Sequence, residues 1–405
     1  MEELKERFLK YVSVYTTSDE KSGTTPSAER ELDLAHMLTA DLMDIGVMDV
    51  ILSKDGYVYG HVPASEGMEG HRSMALISHM DTAPDYSGEN VKPQIIPDYD
   101  GKDVILEGSG AVLSVKDFPD LLKLKGRTLI TTDGTTLLGA DDKAGVTEIM
   151  TATKKILEEN LPHGDFWVVF TPDEEIGEGP DHYDFNICKA DYGYTVDGDY
   201  EGEIAYENFN AAACQVKIRG KNVHPGEAKG IMINAADLAA EFAMALPRDQ
   251  KPETTEGREG FIHLMDMKGD VASAEMTFII RDHDREKFRE KKELMQNLAD
   301  RMNDKYGQGR IQVSIKDSYF NMIEVMKDHM DVVRNAEDAI RSVGLDPISR
   351  PVRGGTDGAA LSFKGLPCPN LGTGGYGFHG PYEHCTLEAM ETVVKELIYL
   401  AAHPL

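Results

Sequence analysis

Short apolar runs that end in acidic or histidine residues, separated by stretches of helix length, constrain this chain more than any other feature. Residues 74–78 (MALIS), Phe166–Thr171 (FWVVFT) and 192–196 (YGYTV) read as buried strands, the second most clearly because aromatic and β-branched residues dominate it. A long helix is expected over residues 143–159. Such alternation predicts an α/β domain, a mixed sheet covered by helices on both faces. Two helices precede it. Residues 2–14 carry Leu4, Phe8, Leu9 and Val12 on one side, and residues 27–44 begin with Ser27 as a cap and Glu29 and Glu31 in the first turn.

The pattern changes near Asn208. Residues 211–219, 274–281 and Ile311–Tyr319 read as strands, with helices over 234–245 and Arg285–Tyr306. This β-α-β-α-β block predicts a small α+β unit with one solvated sheet face. The expected organisation is therefore a larger domain in two parts, 1–207 and 322–405, interrupted by an inserted domain over 208–321. Helices over 331–343 and Leu387–Ala402 complete the second part.

A chain of 405 residues has room for two or three domains and a large core. Its 71 acidic residues against 42 basic ones leave a net charge of −29, which repels phosphate backbones and anionic lipid. Nucleic acid and membrane are thus excluded as partners, and no apolar run is long enough to span a bilayer. The first residues, Met-Glu-Glu-Leu-Lys-Glu-Arg, lack the apolar stretch of a secretory signal. Cys188, Cys214, Cys368 and Cys385 form no CxxC pair, so a reducing compartment, the cytoplasm, is expected.

Polar residues collect where the strands end, which is where ligands bind in open α/β sheets. The first strand runs into Ser78-His79-Met80-Asp81-Thr82. With a side-chain period of two, His79 and Asp81 project to one face. His79 can ligate a metal while Asp81 accepts its other ring N–H; a capped turn with an exposed His fits the same residues. Residues 138–146 (LGADDKAGV) lead into a helix. Paired aspartates there can be only a cap and a dipole partner, although the flanking glycines suit close backbone approach. In Thr171-Pro172-Asp173-Glu174-Glu175-Ile176-Gly177 the adjacent glutamates cannot point the same way. One can hold a metal while the other faces a reacting water as general base; a surface acidic turn is the ordinary alternative. Val196-Asp197-Gly198-Asp199 ends the third run, and residues 372–380 (GTGGYGFHG) set His379 in a glycine-dense loop. Glu383-His384-Cys385 adds further donors, read as a loop entering the last helix. Two histidines and at least three carboxylates make a nitrogen and oxygen set suited to Zn²⁺, with Mn²⁺ or Co²⁺ also fitting, and to a two-metal centre that shares an aspartate.

Together, SHMDT, GADDKAG, TPDEEIG, VDGD and GFHG resemble, in order, the metal motifs of the di-zinc exopeptidase family. That family includes carboxypeptidase G-type enzymes and acylornithine and succinyl-diaminopimelate deacylases; the set looks closest to its aminotripeptidase branch. The motifs extend from His79 to His379. The resemblance implies two zinc ions per subunit, one on His79 and Asp197, the other on Glu175 and His379, with Asp141 bridging and a cis Asp141–Asp142 peptide. It implies that Asp81 supports His79 and that Glu174 is the general base toward a water between the metals. Gly220-Lys221-Asn222-Val223-His224-Pro225-Gly226 matches the lid histidine motif, so His224 would stabilise the oxyanion, in some relatives from the partner of a homodimer. An exposed turn is the alternative for His224.

Arg281, or Arg353 in Arg353-Gly354-Gly355-Thr356-Asp357-Gly358, would hold the C-terminal carboxylate of a short peptide substrate. Its glycine-rich setting favours Arg353; surface ion pairing is the plainer reading of Arg281. The expected activity is zinc-dependent release of the N-terminal residue from tripeptides. A dipeptidase, carboxypeptidase or N-acyl amino acid deacylase of the same family is the near rival. A catalytically silent metal-binding protein is the rival of another class, and an acidic scaffold without metal is a third reading.

Overall fold

The strand Met74–His79 is buried along its whole length, near the centre of an eight-stranded sheet in the computed structural model, which describes residues 1–405. The sheet order is Asp49–Leu52, Val58–Val62, Phe166–Thr171, Met74–His79, Tyr192–Gly198, Asn370–Gly372, Glu203–Ala205 and Ile348–Ser349. Phe166–Thr171 and Tyr192–Gly198 flank the central strand in parallel, whereas Val58–Val62 and Glu203–Ala205 run antiparallel to their inner neighbours. Both faces are covered, which is why the central strands are continuously apolar. Ala75, Ile77 and Val169 pack with Leu361, from the helix Asp357–Phe363, on one face. The helix Ala140–Glu158 lies against Met74–His79 and Tyr192–Gly198 on the other.

This first unit comprises Met1–Tyr206, Glu324–Arg350 and Thr356–Leu405. It also holds an antiparallel sheet of Gly375–Tyr376, His384–Thr386, Leu129–Thr132 and Pro93–Ile96, absent from the sequence reading. His384–Thr386 is thus a strand, not a loop of donors. The helix expected from residue 27 begins at Glu31, with Arg30 as its uncapped first neighbour. The amide of Ser27 donates to Asp173 (2.9 Å) and that of Ala28 to Glu31 (3.0 Å), so neither enters the helix and Ser27 does not cap it. The helix expected over 143–159 starts earlier, at Ala140, through two residues with non-helical dihedrals, Asp141 and Asp142. The peptide between them is cis. No helix is long and apolar enough to cross a membrane.

The second unit comprises Glu207–Ile323 and Pro351–Gly355. It contains one antiparallel sheet ordered Phe261–Gly269, Ser273–Asp282, Asn210–Arg219 and Ile311–Tyr319. From Ala212 to Arg219 buried and exposed residues alternate, and the buried set packs under the helices Ala235–Met244 and Arg285–Tyr306. Phe261–Gly269 was not expected. It is an edge strand whose outer half is exposed, so no apolar period marks it. The return of residues 351–355 was not legible either; the amide of Val352 donates to the carbonyl of Glu207 (2.9 Å).

Candidate metal centre

Strand register assembles the site. Pairing sets His79 opposite Thr171 and Ile77 opposite Thr195, so the loop after Phe166–Thr171 and the end of Tyr192–Gly198 both reach His79. The His79 Nε2 lies 3.0 Å from Asp141 Oδ1 and 3.4 Å from Asp197 Oδ1. His379 Nε2 lies 3.3 Å from Asp141 Oδ2 and 3.0 Å from Glu175 Oε2. Two donor sets result, His79 with Asp141 and Asp197, and Asp141 with Glu175 and His379, each with its ligand atoms within 4.8 Å of one another and each able to hold a metal ion. Asp141 belongs to both. The Glu175 Oε1 is buried and has no hydrogen-bond partner, an arrangement that fits a cation rather than a purely structural carboxylate.

Buried carboxylates hold the loops through backbone amides. Asp81 accepts from the amides of Glu174 (3.0 Å) and Glu175 (3.1 Å), and its Oδ1 lies 3.3 Å from His79 Nδ1. Asp142 accepts from the Ser78 hydroxyl and from the amides of His79 and Gly145 (both 3.3 Å). Asp173, left-handed at φ 62°, accepts from Ser27, and its own amide donates to Glu31 (3.3 Å). Glu383 accepts from the amides of Leu138, Gly139 and Asp141. The sequence does not announce these amide bonds of Asp142, Asp173, Glu31 and Glu383, because a carboxylate that binds remote amides has no local pattern.

The electrostatics are those of a crowded acidic site. Burial alone would lower the pKa of His79, but Asp197, Asp141 and Asp81 outweigh it and raise it well above the imidazole range. Burial and Asp141 push Glu175 up to about 7. Burial, then Asp357 and Asp197, push Glu174 well above its ordinary value. Asp357 itself is buried, accepts from the Thr171 hydroxyl (3.2 Å) and is pushed up to about 7. In the motif Arg353–Gly358 the sequence draws attention to the arginine, and nothing local marks Asp357.

The other residues singled out lie in the second unit. His224 is exposed, and its Nδ1 accepts from the amide of Gly226 (3.1 Å). Arg281 donates through Nη1 to the carbonyls of Ala212 and Ile280 and lies over the Tyr319 ring. The Arg353 guanidinium donates to the carbonyls of Gly257 and Glu259 and to the Thr255 hydroxyl, and lies over the rings of Phe209 and Phe261.

A mixed α/β sheet whose strand ends gather imidazoles and carboxylates into paired donor sets, interrupted by an α+β unit, is the build of a metal-dependent exopeptidase. Residues 206–310 match the family model described as a peptidase dimerisation domain. A peptidase T from Clostridium perfringens is 51% identical over 399 residues, 98% of each chain. The solved structure of the aminopeptidase PepT from Bacillus cereus aligns with a TM-score of 0.77 at 25% identity, covering 99% of this chain and 98% of that one. A tripeptidase from Staphylococcus aureus shares the fold, with a TM-score of 0.79 at 22% identity over 99% and 97% of the two chains. The chain belongs to the peptidase T family.

Proposed function

We propose that this chain is a metal-dependent aminopeptidase that releases the N-terminal residue from tripeptides. The observation that carries the reading is Asp141, within 3.0 Å of His79 and 3.3 Å of His379, at the junction of two donor sets in a peptidase T relative. His79 and Asp197 would hold one zinc ion, Glu175 and His379 the other, and Asp141 both. Zinc suits these nitrogen and oxygen donors, with manganese or cobalt as substitutes. Bound there, zinc would supply Lewis acidity toward the scissile carbonyl and toward water.

The remaining chemistry belongs to the chain. The His79 Nδ1 faces the carbonyl and carboxylate of Asp81, which fixes its proton on Nδ1 and leaves Nε2 as the donor atom. Glu174, with its raised pKa, takes the proton of the attacking water and returns it to the leaving amine. His224 stabilises the oxyanion: Nδ1 accepts from Gly226, so the proton resides on Nε2 as a donor. For the substrate carboxylate, Arg281 is the better anchor, because it meets two carbonyls through Nη1 only, whereas both Nη atoms of Arg353 are engaged by residues 255–259. The dimerisation-domain match supports a homodimer, and four free, buried cysteines suit the cytoplasm.

Elemental analysis of the purified protein, combined with hydrolysis of di-, tri- and tetrapeptides with free and blocked amines, tests the reading. Two zinc ions and a preference for the unblocked tripeptide are expected. Preference for a blocked amine would favour the deacylase rival. Glu174→Gln should lower kcat by roughly 10²–10⁴-fold with metal content unchanged; near-normal turnover would refute Glu174 as base.

A further inference from the structure

We infer that Glu383 is a positioning residue for this centre, tying the loop that carries His379 to the loop that carries Asp141. The inference rests on the metal assignment proposed above. Asp141 and Asp142 have non-helical dihedrals at the start of the helix Ala140–Glu158, and Gly139 is left-handed at φ 78°. The amides just before and at this kink therefore face a common point instead of entering a regular first turn. Glu383, 1% exposed, fills that point. Its Oε2 accepts from Leu138 (2.7 Å) and Gly139 (2.8 Å), and its Oε1 accepts from Asp141 (2.8 Å). Both oxygens are occupied by amides, so Glu383 acts on the centre through the backbone and not as a ligand.

The other end of this clamp is equally fixed. Glu383 lies four residues after His379, itself left-handed at φ 63°. The next residue, His384, is fully buried, bonds through Nδ1 to the carbonyl of Tyr382 (2.8 Å) and pairs with Thr131 in the antiparallel sheet. The Glu383 side chain is thus anchored on a strand end and sets the spacing between His379 and Asp141, 3.3 Å in this structure. Glutamine keeps the shape but turns an NH₂ group toward at least one amide, so the Asp141 loop should shift away from His379.

The test uses full-length apo protein titrated with zinc alone against a chelating dye, which reads two stepwise dissociation constants. His379→Ala identifies the step that depends on the Asp141, Glu175 and His379 set. Glu383→Gln should weaken that step by about 10- to 100-fold, with kcat recovering as zinc is raised. Glu388→Gln loosens a comparable clamp, on the amide (2.8 Å) and hydroxyl of Thr128, and should leave both steps within twofold of wild type. Both steps within twofold of wild type in a folded Glu383→Gln protein would overturn the inference. If that variant does not fold, Glu383→Asp, which keeps the charge on a shorter arm, is judged by the same criteria; failure of both to fold would assign Glu383 to folding and also overturn it. Wild type that takes up no zinc would instead defeat the metal assignment itself.

Discussion

Replacing Asp81 by Asn isolates how much of the centre depends on one buried carboxylate. Asp81 is fully buried and divides its two oxygens between the amides of Glu174 and Glu175, at 3.0 and 3.1 Å. Asn offers one oxygen, so one amide is left facing an NH₂ group in a place water cannot reach. Losing a hydrogen bond to a charged group costs about 1.5–3 kcal/mol, which is roughly 10- to 150-fold in any equilibrium or rate that needs the loop in place. The same change weakens the partner that orients His79, 3.3 Å away. Asp81→Asn is therefore expected to lose roughly 10- to 150-fold in kcat/KM for an unblocked tripeptide, and to bind zinc more weakly. Steady-state hydrolysis at saturating zinc, with a parallel zinc titration, reads both effects. A folded Asp81→Asn enzyme within twofold of wild type in both measurements would refute the argument that backbone amides transmit the position of Asp81 to Glu174 and Glu175.

Two stability predictions lie away from the centre. Glu148 is fully buried with both carboxyl oxygens unpartnered, and burial, with Glu396 and Glu201 nearby, raises its pKa well above the ordinary value of 4.5. The folded protein then holds that proton more tightly than the unfolded chain, so the contribution of Glu148 is full below pH 4.5 and is lost as pH rises toward the folded value. Glu148→Leu should stabilise the protein at pH 8 by about 1–3 kcal/mol, with a smaller gain at pH 4.5; thermal melts at the two pH values check this, and an equal gain at both contradicts it. Phe278 is fully buried between the sheet and helices of the second unit, and Phe278→Ala should cost about 3–5 kcal/mol in urea unfolding; a loss below 1 kcal/mol would mean that the site collapses around the cavity.

Elements that depend on local pattern can be read from neighbouring residues alone. Phe166–Thr171 and Arg285–Tyr306 were legible because burial of a strand or one face of a helix leaves a run or a period in neighbouring residues. The residues that form the two candidate donor sets were legible too, since His79, Asp141, Glu175, Asp197 and His379 each lie at or just past a strand end or sit among glycines. Tertiary structure alone decided which of these loops meet. The register that sets His79 against Thr171 is a pairing between strands about 90 residues apart, and the bond from Asp141 to Glu383 spans 242 residues. The return at 351–355 and the clamps of Asp81, Asp142, Asp173 and Glu383 share that property, whereas the edge strand Phe261–Gly269 pairs locally with Ser273–Asp282 and went unseen because much of it is exposed. Each is held by a backbone amide or an exposed face rather than by a repeating side chain, so nothing in the neighbouring residues announces it.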